Sequence, residues 1–250
     1  MIGISTSAGP KHYWHLWLKD KGYKIVELDL RHTYFPFYEF VIDKVAEDMG
    51  QYDSSIHSSS EALFSEKEII RKAYQQVLVA EIDIAKRIGA KEIVFHLPTF
   101  FGLEALKNQG DTLKFLSETS KEARENGIQL LAEYPTRGEF TQPEILEKFF
   151  SLFPNIKLCL DVGHLKKVHP KLEKEKEIVE KLKDQIVHLH INDSGDDKKT
   201  ENRDFGKEID HYRNLLTHIK QICPIKKAII EINDEDSAQK IHNTIKDIFE

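Results

Sequence analysis

Six short apolar runs end on a residue able to bind a metal ion or carry a proton. "YDSSIH" ends on His57, "EIVFH" on His96, "IQLLAE" on Glu133 and "IKLCLD" on Asp161. "IVHLHIND" reaches His190 and "KAIIEIND" carries Glu231, while an earlier run, "VELD", adds Glu27 and Asp29. Brought together, that many carboxylates cannot sit in a small dry space as bare anions, because mutual repulsion raises their pKa values. A divalent cation relieves the conflict. Carboxylate oxygens with one imidazole suit Mn²⁺, Mg²⁺ or Co²⁺, and further histidines shift the preference toward Zn²⁺. Each residue alone reads as an ordinary strand-end cap or hydrogen-bonded side chain. The chemistry depends on whether the fold gathers them.

The elements needed to gather them are legible. Strands are expected near 2–6, 24–29, 52–57, 92–97, 128–133, 156–161, 186–191 and 227–232, with helical stretches between them. The clearest helices are 66–88, 111–126 and 236–249. Over 66–88, Ile69, Ala73, Val77, Ala80, Ile84 and Ile88 form one stripe, the pattern of a helix packed on a sheet. Gly89 and Gly127 stand where a C-terminal glycine is favoured. Eight strand-then-helix units at roughly 31 residues each suit a (β/α)₈ TIM barrel, an α/β fold in one domain spanning 1–250. In such a barrel the C-terminal strand ends share one rim, where active sites are built. A doubly wound sheet would show a glycine-rich loop after its first strand, and "STSAGPKHYWH" has one glycine.

Bulk properties narrow the partners. No apolar run approaches the roughly 18 residues of a membrane span, and "MIGISTSAGP" lacks a basic region followed by an apolar stretch. Two distant cysteines, Cys159 and Cys223, suggest reduced thiols and a cytoplasmic protein. The net charge of −6 argues against nucleic acid as a partner. The charged run 171–185 reads as a solvated helix face.

These residues resemble the xylose isomerase-like barrel superfamily, also called AP endonuclease family 2. It contains sugar and sugar-phosphate isomerases and epimerases, including a tagatose epimerase-like group, and endonuclease IV. The stretches that carry the resemblance are "IVFHLP", "LLAEYPTRGE", "LCLDVGH", "HLHINDS", "NRDFGKEID" and "AIIEIN". It implies a divalent metal ion (Mn, Co, Mg or Zn) held by Glu133, Asp161, His190 and Glu231. It also implies a small-molecule sugar substrate and carbohydrate metabolism, with Glu133 and Glu231 as acid and base around an enediolate. His164 would contact substrate oxygens, Arg203 would bind substrate, and Glu139 would bind a hydroxyl, although Thr136 replaces the Asn usual in that stretch. His57 and His96 fall to substrate binding on the isomerase branch. On the endonuclease branch they form a second metal site for abasic-site cleavage. That branch needs an Asp-x-His motif after strand seven, where this chain has Asn202 and Asp204.

The remaining expectations concern the surroundings. Trp14 can wall a sugar from solvent or pack the first helix. The aromatic segment 31–40 is expected to form a lid or a homo-oligomer contact. Arg137 is either a phosphate ligand or an isolated surface arginine. His188, one layer below His190, is expected to support the site through a hydrogen bond, and Asp193 to orient His190.

Overall fold

Eight parallel strands close into a barrel in sequence order: β1 (Ile2–Ser5), β2 (Ile25–Asp29), β3 (Asp53–His57), β4 (Glu92–His96), β5 (Gln129–Glu133), β6 (Ile156–Asp161), β7 (Ile186–Ile191) and β8 (Lys227–Ile230). The computed structural model describes residues 1–8, 18, 21–32, 38–193 and 204–250. The helices among them are α1 (Tyr38–Met49), α2 (Glu68–Ile88), α3 (Leu103–Lys107), α4 (Gly110–Glu125), α5 (Pro143–Leu152), α6 (Val162–Val168), α7 (Leu172–Leu182), α8 (Ile209–Ile222) and α9 (Glu235–Phe249). The fold is a single-domain (β/α)₈ TIM barrel, and its strands fall within a residue or two of those expected from sequence. Gly89, which closes α2, and Gly127, just beyond α4, adopt left-handed φ values of 76° and 75°.

Residues alternate between the barrel axis and the helices, as the period of two requires. The apolar side chains of β6, Leu158 and Leu160, join the main core. Register then levels the polar ones: Asp29 pairs with His57, His96 with Glu133, and Asp161 with His190. One step lower, Glu27 pairs with Ser55, and Cys159 with His188.

The barrel interior is polar well below the rim. Lys227 Nζ donates to Ser54 O at 2.8 Å and lies 2.9 Å from Asp53 and 3.5 Å from Glu92. Glu92 meets His188 Nδ1 at 3.1 Å, and Glu27 lies 3.3 Å from His188 Nε2. Glu27 also accepts from Ser55 at 3.0 Å. Charge alternates along this chain, as buried ions require. His188 thus takes the supporting place expected of it.

Two sequence expectations fail on the outer layer. The buried stripe of α2 is Arg71, Gln75, Leu78, Glu81, Ile82, Ile84, Ala85 and Ile88, whereas Ile69 is 81% exposed. The apolar pattern mis-set the helix rotation because two buried charges hold loops. Arg71 donates to Ser65 O at 2.8 Å, and Glu81 accepts from the Ser59 backbone at 2.8 Å. The run 171–185 is likewise not wholly solvated, since Glu175 on α7 is fully buried, 2.7 Å from His211 Nε2.

Burial pushes the Glu175 carboxyl up to about 8, and burial together with Lys166 pushes His211 down. Both shifts favour the uncharged forms of the two side chains. A carboxyl whose folded pKa exceeds its ordinary 4.5 stabilises the fold fully below that value, and the contribution is lost as pH rises through about 8. Thermal denaturation at about pH 6 and about pH 9 should show a loss at the higher pH that Glu175→Gln reduces. An unchanged loss in the variant would contradict the assignment.

Candidate active site at the barrel rim

The C-terminal strand ends open into a cavity of about 780 Å³, whose lining includes Arg31, His96, Glu133, His164 and Glu231 on one part and Phe64, Leu97, Phe101 and Tyr134 on another. His57, Glu133, His190 and Glu231 each present a donor atom within 4.8 Å of the others, and all four are buried. Glu133, Asp161 and His164 form an overlapping group. The expected quartet thus meets through Glu133, with His57 in the four-residue group and Asp161 in the other.

Each carboxylate is held from several strands. Glu133 Oε2 lies 2.7 Å from His96 Nε2 and 3.4 Å from His57 Nε2. Its Oε1 is 3.2 Å from His190 Nδ1. Glu231 Oε2 lies 2.9 Å from the same nitrogen. Burial would raise both acids, but His96 with His190 and His57 holds Glu133 well below the usual range. His190 and Arg31 hold Glu231 low in the same way. Asp161 moves the other way: burial and its neighbours Glu133 and Glu231 raise it, against His164. The imidazoles stack: His57 lies over His190 at 5.4 Å and edge-on to His96 at 5.0 Å.

Asp161 caps the helix that starts at the strand end. Its Oδ1 accepts from the His164 backbone at 2.8 Å, and its Oδ2 accepts from Asn192 at 2.8 Å. The cap turns His164 toward the cavity, with Nδ1 2.9 Å from Tyr134 O. Gly163 permits this turn, because a Cβ there would sit 2.0 Å from Asn192 Oδ1.

Some expectations need correction or fall elsewhere. Asp193 does not orient His190: its Oδ1 accepts from Tyr212 at 2.5 Å and lies 3.4 Å from Lys166. Glu27 is the carboxylate beside His190, 3.0 Å from Nε2. Glu139 is exposed and stands outside the cavity lining, which does include Thr136. The Arg137 guanidinium stacks on Phe100 at 4.6 Å. Trp14, Arg203 and residues 33–37 of the aromatic segment lie outside the described residues.

Sequence reasoning missed Arg31. Its guanidinium is fixed by Asp29, with Nε to Oδ1 at 3.0 Å and Nη2 to Oδ2 at 2.9 Å, and Nη2 reaches Glu231 Oε1 at 2.5 Å. The signal was the spacing "DLR", which returns an arginine to its own strand-end aspartate. Among the described residues no helix is long and apolar enough to cross a membrane.

A relative from Methanocaldococcus jannaschii, an uncharacterized protein, is 26% identical over 190 residues, 75% of this chain and 73% of its own. A D-tagatose 3-epimerase-like protein shares the fold at TM-score 0.73 and 18% identity, covering 99% of this chain and 96% of that one. The IolI protein, solved with a bound zinc atom, shares it at 0.72 and 17%, covering 99% and 95%. A D-psicose 3-epimerase from Clostridium cellulolyticum H10, solved with D-tagatose, shares it at 0.71 and 13%, covering 99% and 97%. At these identities the likeness is one of fold. Residues 16–247 match the sequence profile of the xylose isomerase-like TIM barrel, and the chain belongs to that family.

Proposed function

We propose that the protein is a divalent-metal-dependent isomerase or epimerase of a ketose or sugar phosphate. The observation that carries this reading is the buried group His57, Glu133, His190 and Glu231 opening on a cavity large enough for a sugar. The donor set fits a cation: two buried carboxylates and two imidazoles converge, with His57 Nε2 buried and without an aligned hydrogen bond, and unpaired buried groups are costly. Glu133, Asp161, His190 and Glu231 would hold the ion, and each Asp161 oxygen keeps a second lone pair beyond its hydrogen bond.

Interconverting ketoses requires removing a proton next to a carbonyl. The cation would stabilise the enediolate charge and acidify that proton. Glu133, ending β5, and Glu231, just past β8, would take and return it from the two sides of the sugar carbon. His164 and His96, lining the cavity, would bind hydroxyl oxygens, as would His57 behind them. The apolar wall of Phe64, Leu97 and Phe101 would exclude water.

A second reading, a zinc-dependent abasic-site endonuclease, is favoured by one observation. His57 and His96 both approach Glu133 Oε2, a ready second metal site. Metal-stripped protein reloaded with Mn²⁺, Co²⁺ or Zn²⁺ should turn over at least one member of a ketose and ketose-phosphate panel. Duplex DNA carrying an abasic site should remain intact. Nicking that disappears in Glu231→Gln, with no sugar turnover, would overturn the first reading in favour of the second.

A further inference from the structure

One layer beneath the rim a second set of donors converges. Cys159 Sγ and one nitrogen from each of His188 and His190 lie within 4.8 Å of one another, and all three residues are fully buried. His188 places Nδ1 3.1 Å from Glu92, and its Nε2, 3.3 Å from Glu27 Oε2, has no aligned hydrogen bond. His190 turns Nδ1 toward Glu133 and Glu231, and its Nε2 is likewise unpartnered. Glu27 Oε1 is also buried and unpartnered, close to that nitrogen but without the alignment of a hydrogen bond. Two buried imidazole nitrogens without an aligned hydrogen bond beside one thiol point to a ligand, since orphaned buried polar atoms are costly.

We propose that Cys159, His188 and His190 form a second metal site for a thiophilic divalent ion such as Zn²⁺ or Cd²⁺. One sulfur and two imidazole nitrogens suit a four-coordinate ion that keeps one position open. The thiolate selects it over Mn²⁺ or Mg²⁺, which prefer oxygen. Glu92 supplies the outer carboxylate that fixes the His188 tautomer, as metal-ligating histidines commonly require. On binding, the Cys159 S–H bond breaks as the sulfur–metal bond forms, and the proton leaves to solvent. A neutral His190 ligates through one nitrogen only. A thiophilic ion below and an oxygen-preferring ion above therefore compete for it, a consequence that rests on the metal assignment proposed for the rim.

The test uses the full chain carrying Cys223→Ser, in which Cys159 is the remaining thiol. Titration with Cd²⁺ should raise a sulfur-to-cadmium charge-transfer absorption that saturates at about one equivalent. Absence of the band would overturn the site. In parallel, Cys159→Ser should abolish the band. It should also weaken Cd²⁺ binding by at least the roughly 10–100-fold that loss of an outer partner causes. A band that persists in Cys159→Ser would assign the sulfur to Cys223 and overturn the proposal. The Cys223→Ser arm decides the matter even where Cys159→Ser folds poorly. No sugar enters the measurement, so its outcome stands apart from that of the isomerase reading.

Discussion

Glu133→Gln is expected to abolish measurable turnover and to strip the protein of its divalent ion. The substitution keeps the shape of the side chain and removes its charge. Glu133 stands where both donor groups overlap, facing His57, His96, His164 and His190. Loss of an acid–base group alone lowers kcat by roughly 10²–10⁴-fold. Loss of a ligand shared by the two groups adds the missing cation to that deficit. Elemental analysis of the purified variant, with steady-state rates on the responsive ketose, checks both parts. Retained metal at wild-type content would remove Glu133 from the ligand set, and rates within tenfold of wild type would remove it from the chemistry.

Arg31→Met should destabilise the metal-free protein and strengthen divalent binding. Arg31 bridges two nearly buried carboxylates, Asp29 and Glu231. Removing one partner of a buried pair leaves the other charge uncompensated, at a cost of about 3–5 kcal/mol. For a chain of this size that corresponds to roughly 6–20 °C in Tm. Burial opposes the charged form of Arg31, but Glu231 and Asp29 outweigh it and raise its pKa, so the guanidinium is a fixed positive charge over the whole working range. It therefore repels any cation that approaches Glu231. In the variant an added ion takes over the compensation, so Mn²⁺ should recover most of the lost Tm by binding the folded state alone. Thermal denaturation with and without Mn²⁺, beside calorimetric Mn²⁺ titration, gives the two readouts. A metal-free Tm equal to wild type, or a weaker Mn²⁺ affinity, would contradict this account.

The two effects have a common origin in the charge balance of the rim. Glu27, Asp29, Glu133, Asp161 and Glu231 are all nearly or fully buried within one barrel mouth. The imidazoles and Arg31 compensate part of that charge, and Asp161, the acid least well served, is the one pushed upward. A divalent ion would complete the balance without a change of fold.

The sequence by itself determined the barrel and the membership of its rim. Strand length, the helix between each pair, and the polar residue closing each apolar run are local properties, so His57, His96, Glu133, Asp161, His190 and Glu231 could be placed at strand ends directly. The period of two also turned His188 and His190 to one side. Only the tertiary structure decided who faces whom across the barrel. Those distances depend on strand tilt and stagger, which no single run encodes. Tilt and stagger brought Glu27 rather than Asp193 to His190, and set His57 in one group with Glu133, His190 and Glu231. They returned Arg31 onto Glu231, and gathered Cys159 with the two histidines one layer down. The outer layer followed the same rule. Ile69 on α2 looked apolar and is exposed, Glu175 lay in a run that read as solvated and is buried, and Glu81 is buried too. Burial there was settled by a partner distant in sequence, the Ser58–Ser59 loop for Glu81 and His211 for Glu175.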